Sequence, residues 1–177
     1  MISKKIAVEV LNKALATGAD FAEIFSEETH SEIIALDNEK CETSNDNIVY
    51  GVGIRLLRNL QSVYGYTNDV SRAGLMTLAE TLSKSFEGER IKTVSELETK
   101  KVEKKHRPLI PLTSVSKKDK IDYLLKGCRA AKAVDEEKIV RVMASFLSKE
   151  QSVDIYNSDG KYIHDERSRG RISVSVI

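Results

Sequence analysis

A chain of 177 residues is one domain by length, or at most two small ones. It can bury about 70% of the surface its unfolded form exposes, so it needs no covalent staples. Hydrophobic residues at 41% and charged residues at 31% exclude a disordered or membrane-embedded chain, and no apolar run approaches bilayer length. The 28 basic and 27 acidic side chains leave a formal net charge of +1, which gives no reason to expect nucleic acid or an anionic membrane as partner. Cys41 and Cys128 lack metal spacing, and with no secretory signal they favour a reducing cytoplasm.

In chain order, apolar residues at helical spacing (Ile2, Ile6, Val10, Leu11, Ala14, Leu15) predict a first helix from about Ile2 to Thr17, stopped by Gly18. The period then changes to two. Ala22 to Glu27 reads as a strand with Glu32 to Leu36 as its hairpin partner, and Lys40 to Ser44 as a third strand after an Asp37-Asn38 turn. A strand over Tyr50–Leu57 follows, then a turn at Arg58-Asn59 and a strand over Ser62–Thr67. Asn68 or Asp69 can cap the next helix, whose stripe is Leu75, Leu78, Ala79, Leu82 and Phe86, with Gly88 as its stop. Residues 88–115 lack periodicity and hold both prolines and the basic run Lys100–Arg107, which reads as a solvated functional loop or linker.

Ser116, with Asp119 three residues on, opens a third helix with Ile121, Leu124, Leu125 and Cys128 on its buried side. Strands return over 139–147 and Val153–Tyr156. An Asn157-Ser158-Asp159-Gly160 turn leads to Lys161–His164, and a last strand runs over Arg171–Ile177. The final strand stops at full alternation, as an edge left by a cut between domains would. Helices segregated from runs of strands predict an α+β fold: two antiparallel meanders with about three helices packed on the sheet.

The strand over Tyr50–Leu57 is the most unusual stretch. One of its sides carries Gly51, Gly53, Arg55 and Leu57. Glycine weakens a strand interior, so a pair of them needs a reason. Either a neighbouring element packs tightly there, or another chain or peptide lies along the bare backbone.

No catalytic constellation is present. Gly51-Val52-Gly53 lacks the third glycine and following helix of a dinucleotide fingerprint, and no phosphate loop or nucleophile elbow occurs. His164-Asp165-Glu166 lacks a second histidine one helical turn away. The expectation is no catalytic, cofactor or metal residue in this chain.

Three blocks carry a resemblance. They are Gly18-Ala19-Asp20-Phe21-Ala22-Glu23-Ile24-Phe25; Gly51-Val52-Gly53-Ile54-Arg55 with Gly65-Tyr66-Thr67-Asn68-Asp69; and Asn157-Ser158-Asp159-Gly160 with Arg171–Val176. In this order they resemble the N-terminal region of the TldD/PmbA zinc metalloproteases, also described as modulators of DNA gyrase. The resemblance spans essentially residues 1–177 and is nearer to TldD than to its PmbA (TldE) partner. It implies a cytoplasmic peptidase for unfolded peptides, working with a TldE-like partner or as a homodimer. It also implies a zinc site of the His-Glu-x-x-x-His kind in a catalytic C-terminal domain beyond this sequence. The chain would then supply dimer contacts and one wall of the substrate cleft, with Gly51, Gly53, Arg55, Tyr66 and Asn68 as candidate cleft residues. The alternative is a stand-alone protein-binding module that uses an exposed strand edge.

Overall fold

A computed structural model describes residues 2–103 and 108–177, and residues 104–107 of the basic run lie outside the described residues. Three α-helices stand against one six-stranded mixed sheet, so the fold is α+β. The helices are α1 (Lys4–Ala14), α2 (Arg72–Ser83) and α3 (Lys117–Lys132). The strands are β1 (Phe21–Asp37), β2 (Lys40–Arg58), β3 (Gln61–Thr67), β4 (Glu98–Lys100), β5 (Val142–Asn157) and β6 (Lys161–Val176), in spatial order β3-β2-β1-β5-β6-β4. The two meanders are β1-β2-β3 and β5-β6. β4 adds in parallel at the start of β6, with Glu98 opposite Lys161.

Two compact units make up the chain. The first comprises Met1–Glu28, Val49–Glu103 and Ser152–Glu166; the second comprises Thr29–Ile48, Lys104–Gln151 and Arg167–Ile177. In the first unit, α1 and α2 pack Val10, Leu11, Leu75 and Ala79 onto Ile24, Val52, Ile54 and Leu56 of the sheet. Each large aliphatic side chain buried there contributes roughly 1.5–3 kcal/mol. In the second unit, α3 packs Leu124 and Cys128 onto Ile34, Leu36, Val142, Ala144 and Phe146. Burial pushes the Cys128 thiol pKa up, as suits a small hydrophobe and not a nucleophile. Beside this core, Lys120 and Glu32 form an almost completely buried ion pair, with the ammonium 5.3 Å from the Phe146 ring centre.

Helix limits follow local chemistry. The Ser3 hydroxyl accepts from the Ile6 N–H at 3.3 Å to start α1, and Gly18 at φ +92° turns the chain out of the short 3-10 segment that follows. At α3, the Ser116 hydroxyl accepts from the Asp119 N–H at 3.1 Å and donates to the Asp119 carboxylate at 2.6 Å, an imperfect form of the capping box that the spacing predicts.

Several boundaries differ from the sequence reading. The breaks expected within 28–31, 45–49, 148–152 and 165–170 do not occur, and each pair of short strands is one long strand. Those polar stretches contain the positions where each strand passes from one unit's residues to the other's. Ser71, not Asn68 or Asp69, caps α2, because its hydroxyl accepts from the Gly74 N–H at 3.1 Å. α2 ends at Ser83, five residues before Gly88, which lies against the Arg58 guanidinium. The 88–103 segment is not uniformly solvated. Val94 and Leu97 enter the first core, and the Asn12 side chain bonds both the N–H and the carbonyl of Val94 at 2.9 and 2.8 Å.

Candidate functional site

α1 and α2 cover one face of the first unit's sheet and leave the other open. Residues of opposite parity to the core positions define that open face. Gly51, Gly53, Tyr66 and Asn68 come together there, joined by Phe25, Glu27, Tyr64 and Thr67 around a concavity of about 540 Å³. Arg55 stands on the same face, opposite Tyr64 in the β2–β3 register, but does not line this concavity. Tyr64 and Tyr66 are 61% and 80% exposed, so the surface is aromatic and open to solvent.

Each glycine has a neighbour within the chain. A Cβ on Gly53 would stand 2.5 Å from the Tyr64 hydroxyl oxygen and 2.8 Å from its ring, because that ring lies across the bare Cα from the diagonal position on β3. A Cβ on Gly51 would stand 3.1 Å from the Thr67 carbonyl oxygen. Close packing therefore accounts for both positions, and an aromatic ring over a strand glycine is a known way to shield it. Below the concavity, Asp69 accepts from the Ser71 N–H at 3.0 Å, and hydrogen bonds from Ser71 hold its carboxyl below the usual carboxylate range. That pins the turn which carries Asn68. Sequence reasoning missed Tyr64, Phe25 and Glu27. Their signal is the shared parity of adjacent strands, readable only with the register in hand.

The His164-Asp165-Glu166 motif resolves differently. His164 Nδ1 lies 2.9 Å from Asp154 Oδ1, which also accepts from the Tyr162 hydroxyl at 2.9 Å, while His164 Nε2 is 3.6 Å from Glu166. Asp154 is buried and faces these residues across the β5–β6 hairpin, ten positions before the histidine. Burial first, and then Asp154, push the Tyr162 phenol up to about 12. Tyr156 stacks on Tyr162 with ring centres 4.9 Å apart, and its own pKa is raised chiefly by burial. With its hydroxyl donating to the Ile2 carbonyl at 2.6 Å, this cluster ties the hairpin to the N-terminal segment. Among the described residues no three His, Cys, Asp or Glu side chains are grouped to hold a metal ion.

The comparisons with known proteins cover both units' residues. Residues 22–96 match the PmbA/TldA metallopeptidase domain 1, and residues 110–177 match the PmbA/TldA metallopeptidase central domain. The chain belongs to the PmbA/TldD metallopeptidase family. A metalloprotease TldD homolog of Haemophilus influenzae is 26% identical over 160 residues, which cover 89% of this chain and 33% of that relative. The chain therefore spans about a third of the length of this curated family member. A Bacteroides thetaiotaomicron protein named as a modulator of DNA gyrase matches in fold at TM-score 0.67 and 19% identity, over 99% of this chain and 41% of that one. TldE of Thermococcus kodakarensis matches at TM-score 0.65 and 16% identity, over 97% of this chain and 38% of that one. No helix is long and apolar enough to cross a membrane among the described residues.

Proposed function

We propose that this chain is the N-terminal, non-metal-binding part of a TldD-type metallopeptidase, and that the open face of its first unit forms one wall of the cleft that receives unfolded peptides. The observation that carries the reading is the concave aromatic surface at Gly51, Gly53, Tyr66 and Asn68 in a member of this family. Tyrosines offer large, rigid contact area at low entropic cost, with hydroxyls able to bond a peptide backbone of any sequence. Such a surface suits substrates defined by being extended, not by their side chains. Arg55, exposed on the same face, would meet acidic groups at the rim. Cleavage itself requires zinc from a domain beyond this sequence, and dimerisation joins the chain to a TldE-like partner or a second copy in the cytoplasm.

The test uses a full-length enzyme that carries this N-terminal part. Tyr66→Ala removes an exposed ring without opening a core. It should raise KM for an unfolded peptide several-fold, while kcat and the thermal midpoint stay put. An unchanged KM overturns the assignment of the wall.

A further inference from the structure

The second unit also leaves one sheet face uncovered, and its chemistry differs. Ile33 and Leu147, 37% and 42% exposed, form an aliphatic floor in a shallow groove of about 390 Å³. Lys149, Arg169 and Arg171 stand around it, with Asn45 and Asn47 on the neighbouring strand. None of the three cations has a hydrogen-bond or ion-pair partner among the described residues.

The one acid that lines the groove, and acids adjacent in sequence to its lining or further along its strands, are engaged elsewhere among the described residues. Glu32 borders the groove but gives its carboxylate to Lys120, and Glu150 accepts from the Leu112 and Thr113 N–H groups at 2.8 and 3.3 Å. Asp46 pairs with Lys117 at 2.6 Å, and Asp37 is bonded by Arg141 at 3.0 Å. A chain of net charge +1 thus holds an unbalanced cationic patch beside exposed aliphatic side chains. Contiguous apolar surface with a charged rim marks an interaction site.

From this we infer a docking groove for an extended, acidic and aliphatic segment of a partner protein. Arg169 and Arg171 are alternate residues of β6, roughly 7 Å apart at strand rise. Alternate side chains of an extended partner repeat at the same distance, so glutamates on one of its faces can meet both guanidiniums while a leucine on that face meets Ile33 and Leu147. Nucleic acid would match the charge but not the floor. No aromatic side chain lines the groove, and single-stranded nucleic acid binding relies on rings for stacking. The proposal does not rest on the peptidase reading, since it concerns other residues and a separate unit.

Fluorescence anisotropy on the 177-residue chain tests it. The probe is a labelled peptide repeating Glu-Ser-Glu-Ser-Leu-Ser, which places glutamates at alternate positions, set against the Lys-Ser-Lys-Ser-Leu-Ser repeat and a labelled single-stranded oligonucleotide. The Glu peptide should bind, weaken with added salt, and lose roughly tenfold or more in affinity, about 1.4 kcal/mol, when Arg169→Glu and Arg171→Glu are combined. Arg169→Gln with Arg171→Gln, checked for an unchanged circular dichroism spectrum, guards against misfolding and should give a smaller loss in the same direction. In a Tyr66→Ala background, which weakens the first unit's surface, the preference for the Glu peptide and its loss in the arginine variants should persist, and this separates the two faces. Equal binding of both peptides, tighter binding of the oligonucleotide, indifference to the arginine variants, or self-association through these residues would each overturn it.

Discussion

At the scale of single residues, Gly53 shows how an apparent ligand signal can be internal packing. A strand glycine costs about 0.5–1 kcal/mol relative to alanine, and here the Tyr64 ring occupies the space a Cβ would need. Gly53→Ala should displace that ring and cost about 1 kcal/mol or more. With Tyr64→Ala already in place, the same change should become neutral or stabilising, because only the backbone gain is left. Denaturant midpoints of the four proteins measure the coupling. Additive effects would show that the ring does not rest on Gly53 in solution. The pair also bears on function, since a peptide entering this concavity meets tyrosine rings and not bare backbone. The two glycines were legible in the sequence as needing a neighbour. Which neighbour was not, because Tyr64 reaches Gly53 only through a cross-strand register that period-two patterning leaves open. Asp154 escaped notice beside His164 for the same reason.

At the scale of elements, caps and true turns were readable where their chemistry is local. Ser116 with Asp119 starts α3 as its spacing demands, and the real hairpin turns hold residues in left-handed backbone: Asn38, Asn59 and Gly160. Polar stretches such as Glu28–Ser31 and Asn45–Asn47 resemble turns in composition, yet no residue there has positive φ, and the strands run on. Polarity marks exposure; left-handed backbone marks reversal. The short 3-10 turn at Leu112–Ser114 has its own anchor in Glu150, which accepts from two of its N–H groups and from Ser168 at 3.4 Å. Burial alone would raise this carboxyl, but the hydrogen bonds from Thr113, Leu112 and Ser168 outweigh it and hold the pKa below the usual glutamate value. A depressed folded pKa stabilises above the unfolded value of about 4.3 and loses that contribution as pH falls through the lower, folded value. Glu150→Gln should therefore lower the thermal midpoint at neutral pH. The gap to the unaltered protein should narrow as pH falls below the unfolded value and close once it passes the lower, folded one. A gap that stays constant into strong acid would mean that these bonds do not hold the turn.

At the scale of the whole molecule, two cores are strung on the same four long strands. β1, β2, β5 and β6 each contribute residues to both units, so neither unit can lose its strands without fraying ones the other depends on. Two separate hydrophobic clusters would ordinarily suggest two transitions, but shared backbone ladders argue for one. The tyrosines make this testable, because five of six (Tyr50, Tyr64, Tyr66, Tyr156 and Tyr162) belong to the first unit and only Tyr123 to the second. Leu124→Ala opens a cavity in the second core alone, where Leu124 is 1% exposed, and should cost about 2–5 kcal/mol. If the strands transmit that loss, near-ultraviolet tyrosine signals from the first unit should melt at the same lowered temperature as the far-ultraviolet backbone signal. If the strands merely pass through, the tyrosine transition should stay where it was and the backbone transition should split in two. The continuity of hydrogen-bonded strands favours the first outcome. It also implies that substitutions in one unit report on the other's stability, so binding losses at either uncovered face must be read against the midpoint of the same variant.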